Sequence, residues 1–395
     1  MDRILASSLA LLVLAAGSCG GGGGNLLPRA DLSGARDVAD NGRDAYGADI
    51  DRDIQAFDPG DEDAPPPSDE GSDPGVADPG TDPGTPPPPV RLVTDQAALS
   101  TIVNLVDNAA SSLQVVELEF VTGWAPDQVG AALARAAARG VQVRVLMESD
   151  VADNATRADA LASAGIDARL DGASKTLHTK LVVADRTRAL VGSTNLSISS
   201  LNYNHEANLA LEGGALVEPF AAYADALWAN PGKAASIPTA STSNLTPIGD
   251  GQYVARVLPH IAAASRRALL VMYDLTNDWS GDIGDAAQAL IDARQRGLDV
   301  RVVLESTAYE TYVNDDNKAS GPRLAAAGVQ VRYNAVQTLT HAKMLVTDDE
   351  VTVYSGNWVY TSFSSNHEAG ALVSASDVAA DATAYFEKVW AESTP

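Results

Sequence analysis

Cysteine is almost absent from this 395-residue chain, where Cys19 is the only one. One cysteine excludes an intrachain disulfide scaffold and cannot by itself build a thiolate metal cluster. Lysine is scarce too, at six residues, and the net charge is −25. So acidic a chain is poorly suited to holding nucleic acid, which normally needs several cations set against phosphates. Long apolar runs are also missing. None reaches the roughly 18–20 residues of a spanning helix, which excludes a polytopic membrane protein. Yet 45% of the residues are apolar and the mean hydropathy is −0.06, so most of the chain has a core to bury. The length suits a targeting segment, a linker and either two lobes or one large domain.

The N-terminus carries a 13-residue apolar run, Ile4–Ala16, behind Arg3. It is too short to span and has the form of a secretory signal over residues 1–18. Ala16-Gly17-Ser18-Cys19 resembles a bacterial lipobox, in which the cysteine is acylated and becomes the mature N-terminus. Ordinary cleavage near Ser18 is the alternative. Gly20–Gly24 would then serve as a flexible tether. Residues 25–90 hold 12 of the 20 prolines, 16 Asp/Glu and 4 Arg, so residues 19–90 are expected to form a disordered, lipid-anchored linker. Asp49, Asp51 and Asp53 have a calcium-like spacing but lack the glycine and distal glutamate of an EF-hand, and read as solvated charge. The expected location is exported: outer-membrane lipoprotein, periplasmic or extracellular.

From residue 91 the texture changes to alternating strand-like and helix-like segments, and an internal repeat emerges. Helix 97–108 leads to strand 113–120, and helix 128–139 leads through Gly140 to strand 141–148. In the second half, helix 253–265 leads to strand 268–273, and helix 285–296 leads through Gly297 to strand 300–305. Gly140 and Gly297 are 157 apart, and Tyr223…Trp228 recurs as Tyr385…Trp390 at an offset of 162. The alternation argues for a largely parallel sheet with helical cover in each lobe. The lobes are placed at 91–235 and 236–395, joined through the Pro/Ser/Thr-rich stretch 231–249.

Four of the five histidines fall into this repeat. H-T-K-L-V-V-A-D supplies His178, Lys180 and Asp185, and H-A-K-M-L-V-T-D supplies His341, Lys343 and Asp348. Small polar clusters follow: G-S-T-N with Ser193 and Asn195, then S-G-N with Ser355 and Asn357. Each lobe then carries N-H-E, ending at Glu206 and Glu368. On a strand, His178 and Lys180 share a face, as do His341 and Lys343. A return strand brings the serine and asparagine back toward the histidine. Lysine and asparagine donors suit phosphoryl oxygens. Two imidazoles suit a nucleophile and a general acid on opposite sides of the phosphorus. Glu206 and Glu368 are placed to accept from imidazole N–H groups and fix the tautomer.

These residues resemble the phospholipase D superfamily, whose signature is H-x-K-x4-D followed by G-S-x-N. The resemblance covers residues 91–395 and both copies. It implies an α/β fold of two similar lobes, each a mainly parallel mixed sheet flanked by helices, packed as a pseudo-twofold pair around one site. It also implies phosphodiester chemistry through a phosphohistidine, with no metal and no cofactor. By the resemblance, His178, Lys180, Asp185, His341, Lys343 and Asp348 form the catalytic set, the aspartates as supporting groups, with His178 favoured as nucleophile. Ser193, Asn195, Ser355 and Asn357 would bind phosphate. The second copy is one residue shorter between histidine and asparagine, which leaves the role of Ser355 open.

Other residues read more plainly. His205 and His367 are supporting hydrogen bonders, and His260 is a surface or packing residue. Trp124 and Trp279 either flank the cleft or pack; Trp228 and Trp390 are core. Glu148 and Glu305, at strand ends in both lobes, are adjacent to the site. The favoured function is hydrolysis or transfer of glycerophospholipid headgroups at a membrane surface, with no obligate protein partner. A metal-independent secreted endonuclease on the same scaffold is the alternative, disfavoured by the acidity. A non-catalytic binding module is disfavoured by two intact motifs.

Overall fold

The computed structural model describes residues 89–172, 174–239, 244–306, 311–334 and 338–395. The signal segment, Cys19 and all but the end of the linker lie outside the described residues.

The first lobe runs β1 (Val90–Thr94), α1 (Ala97–Asp107), β2 (Ser112–Glu117), α2 (Pro126–Ala138), β3 (Gln142–Met147), α3 (Ala152–Ser163), β4 (Asp167–Leu170), β5 (Lys180–Ala184), β6 (Arg188–Gly192), α4 (Ile198–Asn202), β7 (Ala207–Glu212) and α5 (Gly214–Ala229). The second repeats it as β8 (Leu245–Ile248), α6 (Tyr253–Ala263), β9 (Arg267–Met272), α7 (Gly281–Gln295), β10 (Asp299–Leu304), α8 (Thr311–Ala326), β11 (Gln330–Asn334), β12 (Met344–Thr347), β13 (Glu350–Tyr354), α9 (Tyr360–Ser364), β14 (Gly370–Ser374) and α10 (Ser376–Glu392), then adds a short β15 (Ser393–Thr394).

The seven-stranded sheet has the order β1-β7-β6-β5-β2-β3-β4, and the eight-stranded sheet matches it, with β15 appended beside β11. Both are mixed, but the parallel part is narrower than the sequence suggests. Among the described strands, only β2-β3-β4 and β9-β10-β11 pair in parallel. Helices cross over between those strands, as parallel neighbours require. From β5 onward the chain meanders. Three residues join β5 to β6 and two join β12 to β13, connections that allow only antiparallel neighbours. The strand–helix alternation thus fixes half of each sheet. Residues 245–248 of the expected linking stretch are themselves a strand: β8 is an edge strand on β14 and tolerates Pro247 there.

Helix α1 shows why the outer layer forms. Ala98, Ile102, Leu105 and Val106 follow the helical period and are buried against the sheet. Gly140 and Gly297 end α2 and α7 at φ +90° and +93°, a stop that a Cβ disfavours. Each lobe has its own outer core, around Val115 and Val145 in one and around Leu270 and Val302 in the other. A third core is shared. Phe220 and Leu227 of α5, Phe386 and Val389 of α10, and the inner faces of both sheets belong to one buried cluster. The lobes are therefore held together by apolar burial, the dominant favourable term. That shared layer fixes the β5 and β12 ends relative to each other.

Candidate active site

Lys180 opens β5 and Lys343 immediately precedes β12, both strands being fully buried, and the histidines lie two residues upstream, outside the ladders. What holds those upstream segments is the other lobe. Leu177 bridges His367 and Thr340 bridges His205 in matching parallel bridges. His367 N–H donates to the Thr176 carbonyl at 2.8 Å, and His205 N–H to the Leu339 carbonyl at 2.8 Å. Within each lobe, Glu148 accepts from the Leu177 N–H at 2.5 Å and Glu305 from the Thr340 N–H at 2.5 Å. Leu177 and Thr340 each sit one residue before a histidine, so both glutamates act by positioning it.

The glutamates of N-H-E cross between lobes. His178 Nδ1 lies 2.9 Å from Glu368 Oε2, and His341 Nδ1 lies 2.9 Å from Glu206 Oε1. Both carboxylates are fully buried. The sequence pairs each histidine with a glutamate; the structure shows that the partner belongs to the opposite repeat. With Nδ1–H donating to the carboxylate, the lone pair rests on Nε2. Burial pushes the His178 imidazole down to about 4, against the pull of Glu368. Burial likewise pushes His341 down to about 4, with Glu206 pulling the other way. Both rings are therefore neutral at pH 7. A phosphodiester anion arriving beside them favours protonation of one, which supplies a nucleophile and an acid together.

Lys180 Nζ donates to the His178 carbonyl at 2.8 Å and Lys343 Nζ to the His341 carbonyl at 2.7 Å. Each ammonium is thus tied to the backbone of its own histidine. Burial lowers the Lys180 pKa, while Glu368, Glu117, Glu119 and Glu206 oppose the shift. Asn195 and Asn357 are both buried, each with an Oδ1 that meets no donor.

Ser193 and Ser355 take a different part from the phosphate binding expected of them. Both are fully buried, and Ser193 Oγ donates to Glu206 and Ser355 Oγ to Glu368. They fix the glutamates that fix the histidines. The one-residue difference between the copies does not disturb this. Ala184 pairs with Arg188 in one hairpin and Thr347 with Glu350 in the other, so the missing residue is in the turn. Ser355 and Asn357 keep the registers of Ser193 and Asn195.

Asp185 and Asp348, expected as supporting groups, stand away from the histidines and hold the backbone. They lie in those same turns, at the far ends of β5 and β12. Asp185 accepts from the N–H groups of Ala110, Ser111 and Ser112 and from Ser111 Oγ. Asp348 does the same with Ser265, Arg266 and Arg267. Partial burial alone would raise the Asp185 pKa, but these donors outweigh it and hold the carboxyl well below the usual range. Asp185→Ala is expected to cost about 1–3 kcal/mol through the orphaned N–H groups. Turnover per folded molecule should stay near wild type. Urea unfolding and kcat on one preparation check this; a collapsed kcat at an unchanged midpoint would return Asp185 to the chemistry.

Several positioning residues escaped the sequence reading. Asp95 and Asp250 follow β1 and β8, and each accepts the backbone N–H of its own lobe's glutamate: Glu206 at 3.0 Å and Glu368 at 3.1 Å. Tyr385 Oη donates to Asp95 at 2.5 Å and Tyr223 Oη to Asp250 at 2.7 Å, each from the helix of the other lobe. The tyrosines were visible in the sequence only as part of the repeat. His367 Nδ1 lies 2.7 Å from Asp250 of its own lobe and its Nε2 2.6 Å from the Pro231 carbonyl, and His205 Nε2 lies 2.9 Å from Glu392, so both act as lobe-joining groups. Trp124 and Trp279 pack against the outer cores. Trp228 and Trp390 pack on the shared core beneath stacked arginines. His260 pairs with Glu350 at 2.6 Å. Among the described residues no group of three or more His, Cys, Asp or Glu could hold a metal ion.

The family described as "Cardiolipin synthase, PLD-like domain" matches this chain twice, over residues 102–228 and 257–390. The chain belongs to the phospholipase D superfamily. Each match contains one complete histidine–lysine motif and one N-H-E. The mitochondrial cardiolipin hydrolase of Xenopus tropicalis is 33% identical over 91 residues, covering 23% of this chain and 43% of that protein. Phospholipase D of Rickettsia conorii is 28% identical over 120 residues, covering 30% of this chain and 58% of that one. The chain thus matches about half the length of these curated relatives. Among solved structures, phosphatidylserine synthase of Haemophilus influenzae superposes with a TM-score of 0.57 at 11% identity, covering 77% of this chain and 85% of that one. Polyphosphate kinase of Porphyromonas gingivalis gives 0.56 at 13% identity, covering 75% and 46%. These likenesses show the fold: two phospholipase D-like repeats.

Proposed function

We propose that this protein is a phospholipase D-like phosphodiesterase that cleaves the headgroup ester of glycerophospholipids at a membrane surface. The observation that carries the reading is the pair of crossed His–Glu contacts at the lobe interface, each beside a buried lysine. One Nε2 attacks phosphorus and forms an N–P bond while the headgroup P–O bond breaks. The other imidazole gives its proton to the leaving alcohol. It then takes a proton from water, which attacks the phosphohistidine and releases phosphatidic acid. A second alcohol in place of water gives transfer. Lys180, Lys343 and the Asn195 and Asn357 amides stabilise the non-bridging oxygens through the charge that develops. The phosphatidyl assignment is supported by the named lipid-cleaving relatives and by the acidity of the chain, which opposes a polyanionic nucleic acid. An exported, lipid-anchored enzyme would meet such a substrate directly.

The test is residues 89–395 assayed in EDTA against mixed phospholipid vesicles and supercoiled plasmid, with His178→Ala as blank. Headgroup release that EDTA leaves intact and the variant loses is expected. Plasmid nicking without lipid turnover would reassign the substrate to nucleic acid. Turnover that EDTA abolishes and added metal restores would refute the two-histidine chemistry.

A further inference from the structure

The residue between histidine and lysine differs in the two copies of the motif: Thr179 in one, Ala342 in the other. Both are fully buried. Alternation along an extended chain turns this side chain away from the histidine and lysine that flank it. Thr179 Oγ1 lies 3.2 Å from Tyr223 Oη, which reaches it from α5. Tyr223 Oη in turn donates to Asp250 Oδ1 at 2.7 Å, and the Glu368 carbonyl lies 3.1 Å from the same phenol. Burial, with Asp250 beside it, pushes the Tyr223 phenol well above its usual range, so it stays protonated. Its proton is committed to Asp250, so Thr179 is the donor between the two hydroxyls.

These contacts close a ring around His178. Thr179 donates to Tyr223 and Tyr223 to Asp250. The Glu368 N–H donates to Asp250 at 3.1 Å, and His178 Nδ1 to the Glu368 carboxylate at 2.9 Å. The peptide bond between His178 and Thr179 completes the circuit. Two of its links, Tyr223–Asp250 and His178–Glu368, cross between the lobes. The second lobe builds the same chain as far as its phenol: His341 to Glu206 at 2.9 Å, the Glu206 N–H to Asp95 at 3.0 Å, and Tyr385 Oη to Asp95 at 2.5 Å. There the residue after the histidine is Ala342, which has no hydroxyl to offer the phenol. A chain of hydrogen bonds open at one end lets carboxylate and imidazole shift together. A closed one ties the carboxylate to the backbone that carries His178 and Lys180, and its members polarise one another.

We propose that Thr179 is a positioning residue for the reaction: through Tyr223 and Asp250 it locks the His178–Glu368 pair to the backbone of its own motif, with no counterpart at Ala342. The inference rests on the phosphodiesterase reading above and deepens it, making the two histidines unequal in how firmly they are held. The Thr179 side chain points away from the reacting atoms, so its loss misplaces the imidazole without altering the charge at phosphorus.

Thr179→Val removes the hydroxyl at nearly constant shape, and Thr179→Ser keeps it. Both are assayed on phospholipid vesicles and on bis(4-nitrophenyl) phosphate, a soluble phosphodiester. Valine should lower kcat roughly tenfold or more with KM within about twofold, as a misplaced catalytic group does, and serine should restore most of the loss. Adding Thr179→Val to Tyr223→Phe should cost nothing further, because both open the same ring, whereas its loss should add to that of Tyr385→Phe. In the NMR spectrum of ring N–H protons, Thr179→Val should move the His178 resonance and spare that of His341. An unmoved His178 resonance, a wild-type kcat in the valine variant, or a loss that serine shares in full would each overturn the proposal. Turnover of the synthetic diester without turnover of any vesicle lipid would remove the phospholipid reading and leave the Thr179 comparison standing. The resonance comparison needs no turnover, so it judges the lock even in a protein that cleaves neither substrate.

Discussion

His178→Ala and His341→Ala should each reduce turnover by at least about 10⁴-fold on their own, because residues acting as a unit in one covalent mechanism fail together. Two independent sites, one per repeat, would instead leave about half the rate in each single variant. The double variant should be no worse than either single one. Initial rates over several enzyme concentrations, with the folded fraction checked by circular dichroism, decide between these outcomes. Neither variant should unfold the chain, since the lobes are joined by the shared apolar core of α5 and α10 rather than by the imidazoles.

Glu206→Gln and Glu368→Gln should each lower kcat by on the order of 10²–10⁴-fold, the range expected when an orienting carboxylate loses its charge and the imidazole its tautomer. The more informative result is where the change lands. Glu368 accepts from His178 and Glu206 from His341. In an NMR spectrum of ring N–H protons, Glu368→Gln should move the His178 resonance and spare that of His341. Glu206→Gln should do the reverse. Assignments come from the two histidine variants. A shift confined to the histidine of the mutated repeat would mean that each lobe serves itself.

The repeat made much of this legible. Periodicity placed α1, α2, β3 and their counterparts within a few residues, and the doubled H-x-K and N-H-E strings located both halves of the site. The misses have physical causes. Strand–helix alternation reads as parallel pairing, and nothing in the strings H-T-K-L-V-V-A-D or G-S-T-N says that β5 to β7 form a meander; that follows from turn lengths. Motif membership marked Asp185 as a supporting group but not what it supports: five strand residues separate it from Thr179, and its donors are the Ser111 hydroxyl and backbone N–H groups at the far end of β5. Ser193 looked like a phosphate ligand because it belongs to the G-S-x-N string, and only the fold shows its hydroxyl donating to Glu206. The crossing of the glutamates is a property of packing, which sequence order cannot encode.

The central claim is one covalent site shared by two lobes. The most direct test is acid-free quenching of wild type during turnover of a lipid labelled with ³²P at the phosphate, followed by digestion and mapping of the label. One shared site predicts at most one labelled group per chain, alkali-stable and acid-labile as a phosphohistidine. The label should map to His178 or His341 but never to both in the same molecule. Two labels on one chain, or a label on a serine or an aspartate, would contradict it.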